Sequence, residues 1–314
     1  WNNATEHNIG KHVNILNGYL ADLYCIDGQQ LAATDFGEED DNGVWQPKKY
    51  SGSYGTNGFH LDFSDNSSAS ALGTDAAGSN NWTVNNFSVA SGAGNDSLID
   101  SPMNYEADSR NNGGNYCTLN PNQNSGVTLS NGGLDITGGG SWYGAGGTFP
   151  MSSGKWYFEY DNVVSNEHLI GIMPASISRP TTASSYAYGS ETGGKYTPSS
   201  SNVSYGSSWG AGDVIGVAFD ADNGTLTFYK NNTSQGTAFT GLTDTPYVPT
   251  VVLNGSSRSA SLNFGQRPFA YTPPSGYKSL CTANLTDPTI EKPSDYFDVK
   301  TYSGTGSSQS ITGL

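Results

Sequence analysis

Residues 212–232 read GDVIGVAFDADNGTLTFYKNN, and residues 248–264 read VPTVVLNGSSRSASLNF. Val214 to Phe219 is an apolar run of strand length, Leu226 to Tyr229 is a second, and Asn223-Gly224 stands at the reversal between them. An Asn-Gly pair tolerates positive φ at both central positions of a tight turn, the strongest short-range hairpin signal in a sequence. From Ser259 to Phe264 the alternation is strict. It predicts a half-buried strand with Ala260, Leu262 and Phe264 on the core face and Ser259, Ser261 and Asn263 toward water.

Working outward, the 314 residues suit two units or one large sandwich with appendages. Only 13% of them are charged, and 41 are Gly. Asn, Ser and Thr carry the polarity instead, and helix formers never accumulate at a 3.6-residue period, so the chain reads as all-β. The net charge of −15 is spread along the sequence, with no acidic block longer than Glu38 to Asp41. It favours solubility and argues against a nucleic-acid partner. No run approaches the roughly 18 apolar residues that cross a bilayer, and WNNATEHNIG lacks the basic and apolar regions of a signal peptide. Membrane insertion is not expected. Cys25, Cys117 and Cys281 are widely spaced and read as buried free thiols; they and the scattered His7, His12, His60 and His168 suggest neither a metal site nor any cofactor.

Four segments follow. Residues 1–63 contain Gly18 to Gly28, which reads as one strand closed by Asp-Gly, with no earlier strand to pair with. NGYLADLYCIDGQQLAATDFGE resembles the closing strand and turn of laminin-G or concanavalin A-like modules of phage structural proteins. The stretch after it resembles segments of phage tail-fibre proteins. The resemblance implies that residues 1–63 are the end of such a module plus a connector, and that both chain ends are cuts through a longer fibre. Residues 64–112 are rich in Ser, Asn and Gly, with anchors at Leu72, Trp82, Val84, Phe87, Val89, Leu98 and Ile99; they read as an ordered strap or a linker. Residues 113–282 carry SGKWYFEY, HLIGIM, the 212–232 hairpin, YVPTVVL and SASLNFGQRPFAY in an order similar to the SPRY family. That resemblance implies a concanavalin A-like antiparallel β-sandwich, a SPRY-like jelly roll with loop-rich flanks. Residues 283–314 read as a linker and the start of a further β module, strand-like from Tyr296 to Tyr302.

Catalytic signals are thin. Glu159-Tyr160-Asp161 is similar to the E-x-D-x-x-E strand of laminarinase-type glucanases, but position 164 is Val and the acid–base partner is missing. Glu159 then reads as the polar face of its strand. Gly206-Ser207-Ser208-Trp209-Gly210 matches G-x-S-x-G by letter without the strand–turn–helix setting. Asp220 to Gly224 lacks the spacing and the terminal Glu of a calcium loop and reads as a turn. Sequons at Asn81, Asn86, Asn202 and Asn232 are expected by chance in such a composition. The chain is therefore not expected to be an enzyme.

Aromatics in predicted loops are the stronger signal: Trp142, Tyr143, Tyr186, Tyr188, Tyr196, Tyr205 and Trp209. Rings beside short polar side chains suit ligand binding, stacking on a sugar's C–H face while the polar groups bond its hydroxyls; rings that plug sheet ends or pack between chains are the alternative. With the phage resemblance, the expectation is a non-catalytic tail-fibre-like segment on the virion surface. It would be a homo-oligomer among other virion subunits, attaching to a bacterial surface glycan or receptor. A capsid-decorating or fibre-building module, with those rings buried between subunits, is the alternative.

Overall fold

The computed structural model describes residues 6–10, 16–39, 43, 45–100, 114–286, 290, 296–297 and 299–310. Two bodies separate by contact, Trp1–Asn284 and Leu285–Leu314. The first opens with short strands β1 (Leu23–Cys25), β2 (Gly37–Glu39), β3 (Trp45–Pro47) and β4 (Phe59–Leu61), paired β1 with β4 and β2 with β3.

The sandwich follows: β5 (Leu119–Asn124), β6 (Thr128–Ser130), β7 (Asp135–Thr137), β8 (Tyr143–Gly147), β9 (Lys155–Val164), β10 (His168–Pro174), β11 (Tyr186–Gly189), β12 (Lys195–Thr197), β13 (Ser200–Val203), β14 (Ile215–Asp220), β15 (Thr225–Lys230), β16 (Thr233–Phe239), β17 (Tyr247–Leu253), β18 (Ser259–Asn263) and β19 (Lys278–Ser279). One sheet runs β13-β12-β11-β10-β17-β8-β5 and the other β16-β15-β14-β9-β18-β7-β6. Their pairings are antiparallel, apart from β19, which lies parallel to β9. Alternate side chains fill the space between them: Trp156, Phe158 and Tyr160 of β9, Ile215, Val217 and Phe219 of β14, Leu226 and Phe228 of β15, Ala260 and Leu262 of β18, then Phe264. These meet Ile170, Ile172, Tyr188, Val251 and Leu253 from the opposite sheet. The all-β class read from periodicity, and the antiparallel sandwich that the SPRY resemblance implied, are the fold observed.

Several local expectations need correction. The β14–β15 reversal is a four-residue turn, Ala221 to Gly224, in which Gly224 alone has positive φ (59°). The Asp220 side chain closes it by accepting from Asn223 N (3.1 Å) and Nδ2 (2.9 Å). The 18–28 stretch is a strand only over Leu23–Cys25, and it pairs with the later β4. Cys117 and Cys281 are buried and form no disulfide, whereas Cys25 is half-buried. Among the described residues of 296–302 there is no strand, and Tyr296, Phe297, Val299 and Tyr302 are exposed.

The largest correction concerns the polar faces of β9 and β18. Ser261 is 8% exposed and Asn263 0%, not turned to water. Residues 86–100 run over this face without regular structure and bond to it: Ala93 N to Asp161 Oδ2 (3.1 Å), Gly92 N to Pro268 O (3.0 Å), Ile99 N to Gln266 O (2.9 Å), and Arg267 Nη1 to Ala93 O (2.6 Å). Leu98 packs against the core beside it. Glu159 lies on the same outer face, fully buried, and its carboxylate accepts from Ala270 N (2.7 Å), Tyr271 N (3.0 Å) and the Tyr157 hydroxyl (3.0 Å). Burial pushes this carboxyl above its ordinary range, against the opposing effect of those three bonds. A buried carboxylate is tolerable only when its acceptors are filled in this way.

Candidate functional site at the loop end of the sandwich

Strand registers place seven connections at one end of the sandwich. Leu253 sits opposite both Tyr143 and His168, Ser259 opposite Thr137 and Val164, Leu169 opposite Gly189, and Ile215 opposite Lys230. Loops 125–127, 138–142, 165–167, 190–194, 204–214, 231–232 and 254–258 therefore converge there.

These loops are strained and braced. Trp142 (φ 50°), Ser165 (68°), Glu167 (66°), Asn231 (48°) and Asn232 (65°) all occupy the left-handed region. Asn adopts it readily, but for Trp, Ser and Glu it costs of order 1–3 kcal/mol each and persists only where the surroundings enforce it. The enforcement is visible. Asn254 N donates to Glu167 O (3.1 Å) and Asn254 Nδ2 to Glu167 Oε1 (2.8 Å), while Arg258 pairs with the other Glu167 oxygen. Gly255 N donates to Gly140 O (2.6 Å), and Gly138 N to Arg258 O (2.8 Å). Beneath them, His168 is wholly buried between the Tyr160 hydroxyl (2.6 Å from Nδ1) and Val164 O (3.1 Å from Nε2). Burial lowers its pKa to about 4, so it is neutral at pH 7.

The seven aromatic candidates separate into three groups. Tyr188 and Trp209 belong to the core, 0% and 4% exposed, and Tyr186 and Tyr205 pack against it. Trp142 and Tyr196 cover a small apolar cluster, Leu169, Ala187 and Val252, on the outer face of the first sheet. Tyr143 remains exposed, at 39%. Its ring lies against Gly126 and Gly140, where a Cβ would approach to 3.1 and 2.9 Å, so glycine at both places is what lets it lie flat on the loops. Only Trp142, Tyr205 and Trp209 lie in loops as expected; Tyr143 starts β8, Tyr186 and Tyr188 lie on β11 and Tyr196 on β12, and a large ring buries more area by packing inward than by standing out, a preference that governs six of the seven.

Next to Trp209 is a depression of about 310 Å³ lined by Asn166, Ser190, Glu191, Ser208, Trp209, Gly210, Asp213 and Lys230. Lys230 Nζ lies 3.2 Å from Asp213 Oδ2 and donates to Ser208 O (2.7 Å). Burial would raise the Asp213 carboxyl, but bonds from Gly210 N, Asn231 Nδ2 and Lys230 overrule it and hold the group below its ordinary range. Glu191 is exposed, and its carboxylate has no partner among the described residues. None of Glu167, Glu191, Asp213, Lys230, Asn254 and Arg258 stands out by spacing, because each meets its neighbours across loops distant in sequence. Asn254 to Arg258, a polar run between two strands, was the one legible hint. Among the described residues no group of three or more His, Cys, Asp or Glu could hold a metal, and no helix is long and apolar enough to cross a membrane.

Residues 155–267, which supply most of these loops, match the SPRY domain family. The chain carries a SPRY domain. The chain is 34% identical over 139 residues to "E3 ubiquitin-protein ligase RKP" of Arabidopsis thaliana, covering 40% of this chain and 10% of that protein. It is 30% identical over 150 residues to "ATP-dependent RNA helicase Ddx1" of Drosophila melanogaster, covering 45% and 20%. It is also 38% identical over 87 residues to "Ran-binding protein 10" of Danio rerio, covering 28% and 14%. The chain spans no more than about a fifth of the length of these relatives. Plant, insect and fish proteins thus stand where phage proteins were expected. They overturn the tail-fibre reading, and with it the virion surface as location and virion subunits or bacterial glycans as partners. The laminin-G-like module has no support either, and β1 pairs within the chain.

Proposed function

We propose that the SPRY domain is a protein-interaction module that grips a segment of a partner polypeptide at the loop end of the sandwich and breaks no bond in it. The observation that carries this is the exposed Tyr143 ring, laid on loops already held in strained, cross-bonded conformations. A surface fixed in advance loses little further entropy on binding, and a rigid aromatic is the commonest anchor of such contacts. The relatives support it: a ligase, a helicase and a Ran-binding protein share with this chain one segment while their names describe different tasks. A non-catalytic role is supported by Glu159 and Asp161, whose carboxylates are buried beneath residues 270–271 and 93.

Selection of peptides from a random library on the immobilised chain tests the reading. Selected peptides should compete with one another and lose at least about tenfold in affinity on Tyr143→Ala, while Thr243→Ala, at the opposite end of the sandwich, leaves binding intact. Peptides indifferent to Tyr143→Ala, or turned over by the protein, would overturn it.

A further inference from the structure

Residues 91–95, Ser-Gly-Ala-Gly-Asn, cross the outer face of β9 and β18 carrying almost no side chain. They hold on by main chain: Gly92 N donates to Pro268 O, Ala93 N to Asp161 Oδ2, and Ala93 O accepts from Arg267 Nη1. Register sets Ser261 opposite both Asp161 and Asp135, so two carboxylates flank it on the adjoining strands of this face.

The fastening leaves chemistry unused. Asp161 Oδ1, Asp135 Oδ1, Arg267 Nε, Asn95 Nδ2 and Gln266 Nε2 are buried without a hydrogen-bond partner among the described residues. Four of these side chains, all but Asp135, are more than nine-tenths buried. Buried polar groups are ordinarily filled, as the Glu159 carboxylate is on the same face. Burial pushes the Asp161 carboxyl up and Asp135 adds to the rise, against the bond from Ala93 N and the Arg267 charge. A Cβ at Gly92 would rest 3.5 Å from Asp161 Oδ2, so there is room for a side chain against this carboxylate and the segment supplies none.

Two carboxylates against one guanidinium leave the face negative. A cationic side chain corrects the balance and offers Asp161 Oδ1 and Asp135 Oδ1 charge-assisted bonds, while the main chain that carries it brings carbonyl oxygens for Arg267 Nε. An anion adds to the excess. A metal ion leaves the Arg267, Asn95 and Gln266 donors unfilled.

We propose that the outer face of β9 and β18 is a second docking surface, for an extended, Lys- or Arg-bearing segment of a partner polypeptide, and that residues 86–100 are its built-in occupant, displaced when that partner binds. Tyr143 and the loop end take no part in it, and it stands or falls apart from them.

Two measurements on the 15N-labelled full chain test this. By hydrogen exchange, the bonded amides of Gly92, Ala93 and Ile99 should open at least about 100-fold more often than those of β14, with little dependence on low urea, as a locally detaching unit does. Synthetic peptides of the 86–100 sequence are then titrated, unmodified or with one of Ser91→Lys, Gly92→Lys, Ala93→Lys, Gly94→Lys and Asn95→Lys. They should shift the Asp161 amide saturably, with at least one Lys peptide about tenfold tighter than the unmodified one. The matching Glu peptides should gain nothing. Asp161→Asn, which keeps an oxygen for Ala93 N, should abolish the Lys preference. Segment amides that exchange only with global unfolding would make residues 86–100 a permanent part of the sandwich and overturn the proposal. Absent binding, equal affinity for Lys and unmodified peptides, or a preference that survives in Asp161→Asn would do the same. Should Asp161→Asn not fold, the wild-type chain decides, since an equal gain from Glu peptides overturns the proposal as well.

Discussion

Glu159 and Glu191 are the same residue in two regions of one sandwich. Glu159, on the outer face of the second sheet, is fully buried and takes three hydrogen bonds; Glu191, at the loop end, is exposed and takes none. On the covered face, polar groups are consumed in fastening residues 86–100 and 266–271 to the sheet. At the loop end they fasten the loops to each other and leave a ring, a carboxylate and a depression facing outward. A carboxylate's role is therefore decided by what covers it and not by its type.

The largest effect expected from this contrast is on the covered face. Glu159→Ala leaves the Ala270 and Tyr271 N–H groups and the Tyr157 hydroxyl without their acceptor, and should destabilise the fold by about 4 kcal/mol. Glu191→Ala should change it by less than about 0.5 kcal/mol. Urea unfolding of the two variants compares them directly, and equal midpoints would erase the distinction.

Acid should sharpen the contrast next. His168 has a folded-state pKa of about 4 against an ordinary 6.5. Above pH 6.5 it is neutral folded and unfolded, and contributes nothing to the pH dependence. Between 6.5 and 4 the unfolded chain takes up the proton and the folded chain does not, so stability falls by about 1.4 kcal/mol per pH unit, about 3 kcal/mol in all. Glu159 and Asp161 act the other way: with carboxyls raised by burial, they bind protons more readily folded than unfolded, and restore stability as pH falls through their folded-state range. The His168 ring signal should therefore still be neutral at pH 5 by NMR; a protonated ring there would contradict the burial.

Strain at the loop end gives a smaller effect of opposite sign. Ser165 is exposed at φ 68°, so Ser165→Gly should raise stability by about 0.5–1 kcal/mol in a thermal melt, since glycine takes that conformation without penalty. Tyr143→Ala should be nearly silent in the same melt, within about 0.5 kcal/mol, while affecting peptide binding. A loss much larger than that would make Tyr143 a packing residue like the other six rings.

Much of the fold was legible in advance. The 214–229 hairpin, the β18 alternation and the Trp156, Phe158, Tyr160 face follow from period-2 patterning, which depends on neighbours along the chain. The candidate site was legible only in part. Seven rings could be named, but whether a ring beside the Gly-rich loops turns in, like Trp209, or stays out, like Tyr143 at the start of β8, depends on space left by remote residues such as Gly126. The outward face of β18 was misread for the same reason: nothing within Ser259 to Asn263 announces that a segment some 170 residues earlier lies across it.

The amino-acid order alone settled that this chain makes strands, where they reverse, and which side of each faces the core, because alternation and turn chemistry act over a few residues. Only the tertiary structure decided which polar groups are sealed and which are offered, that Glu167 is braced by Asn254 and Arg258, and that Glu191 stands free beside Trp209. Those outcomes depend on burial and on contacts between loops 40 to 90 residues apart, and the free energy of a charge or an N–H is set by its surroundings in space.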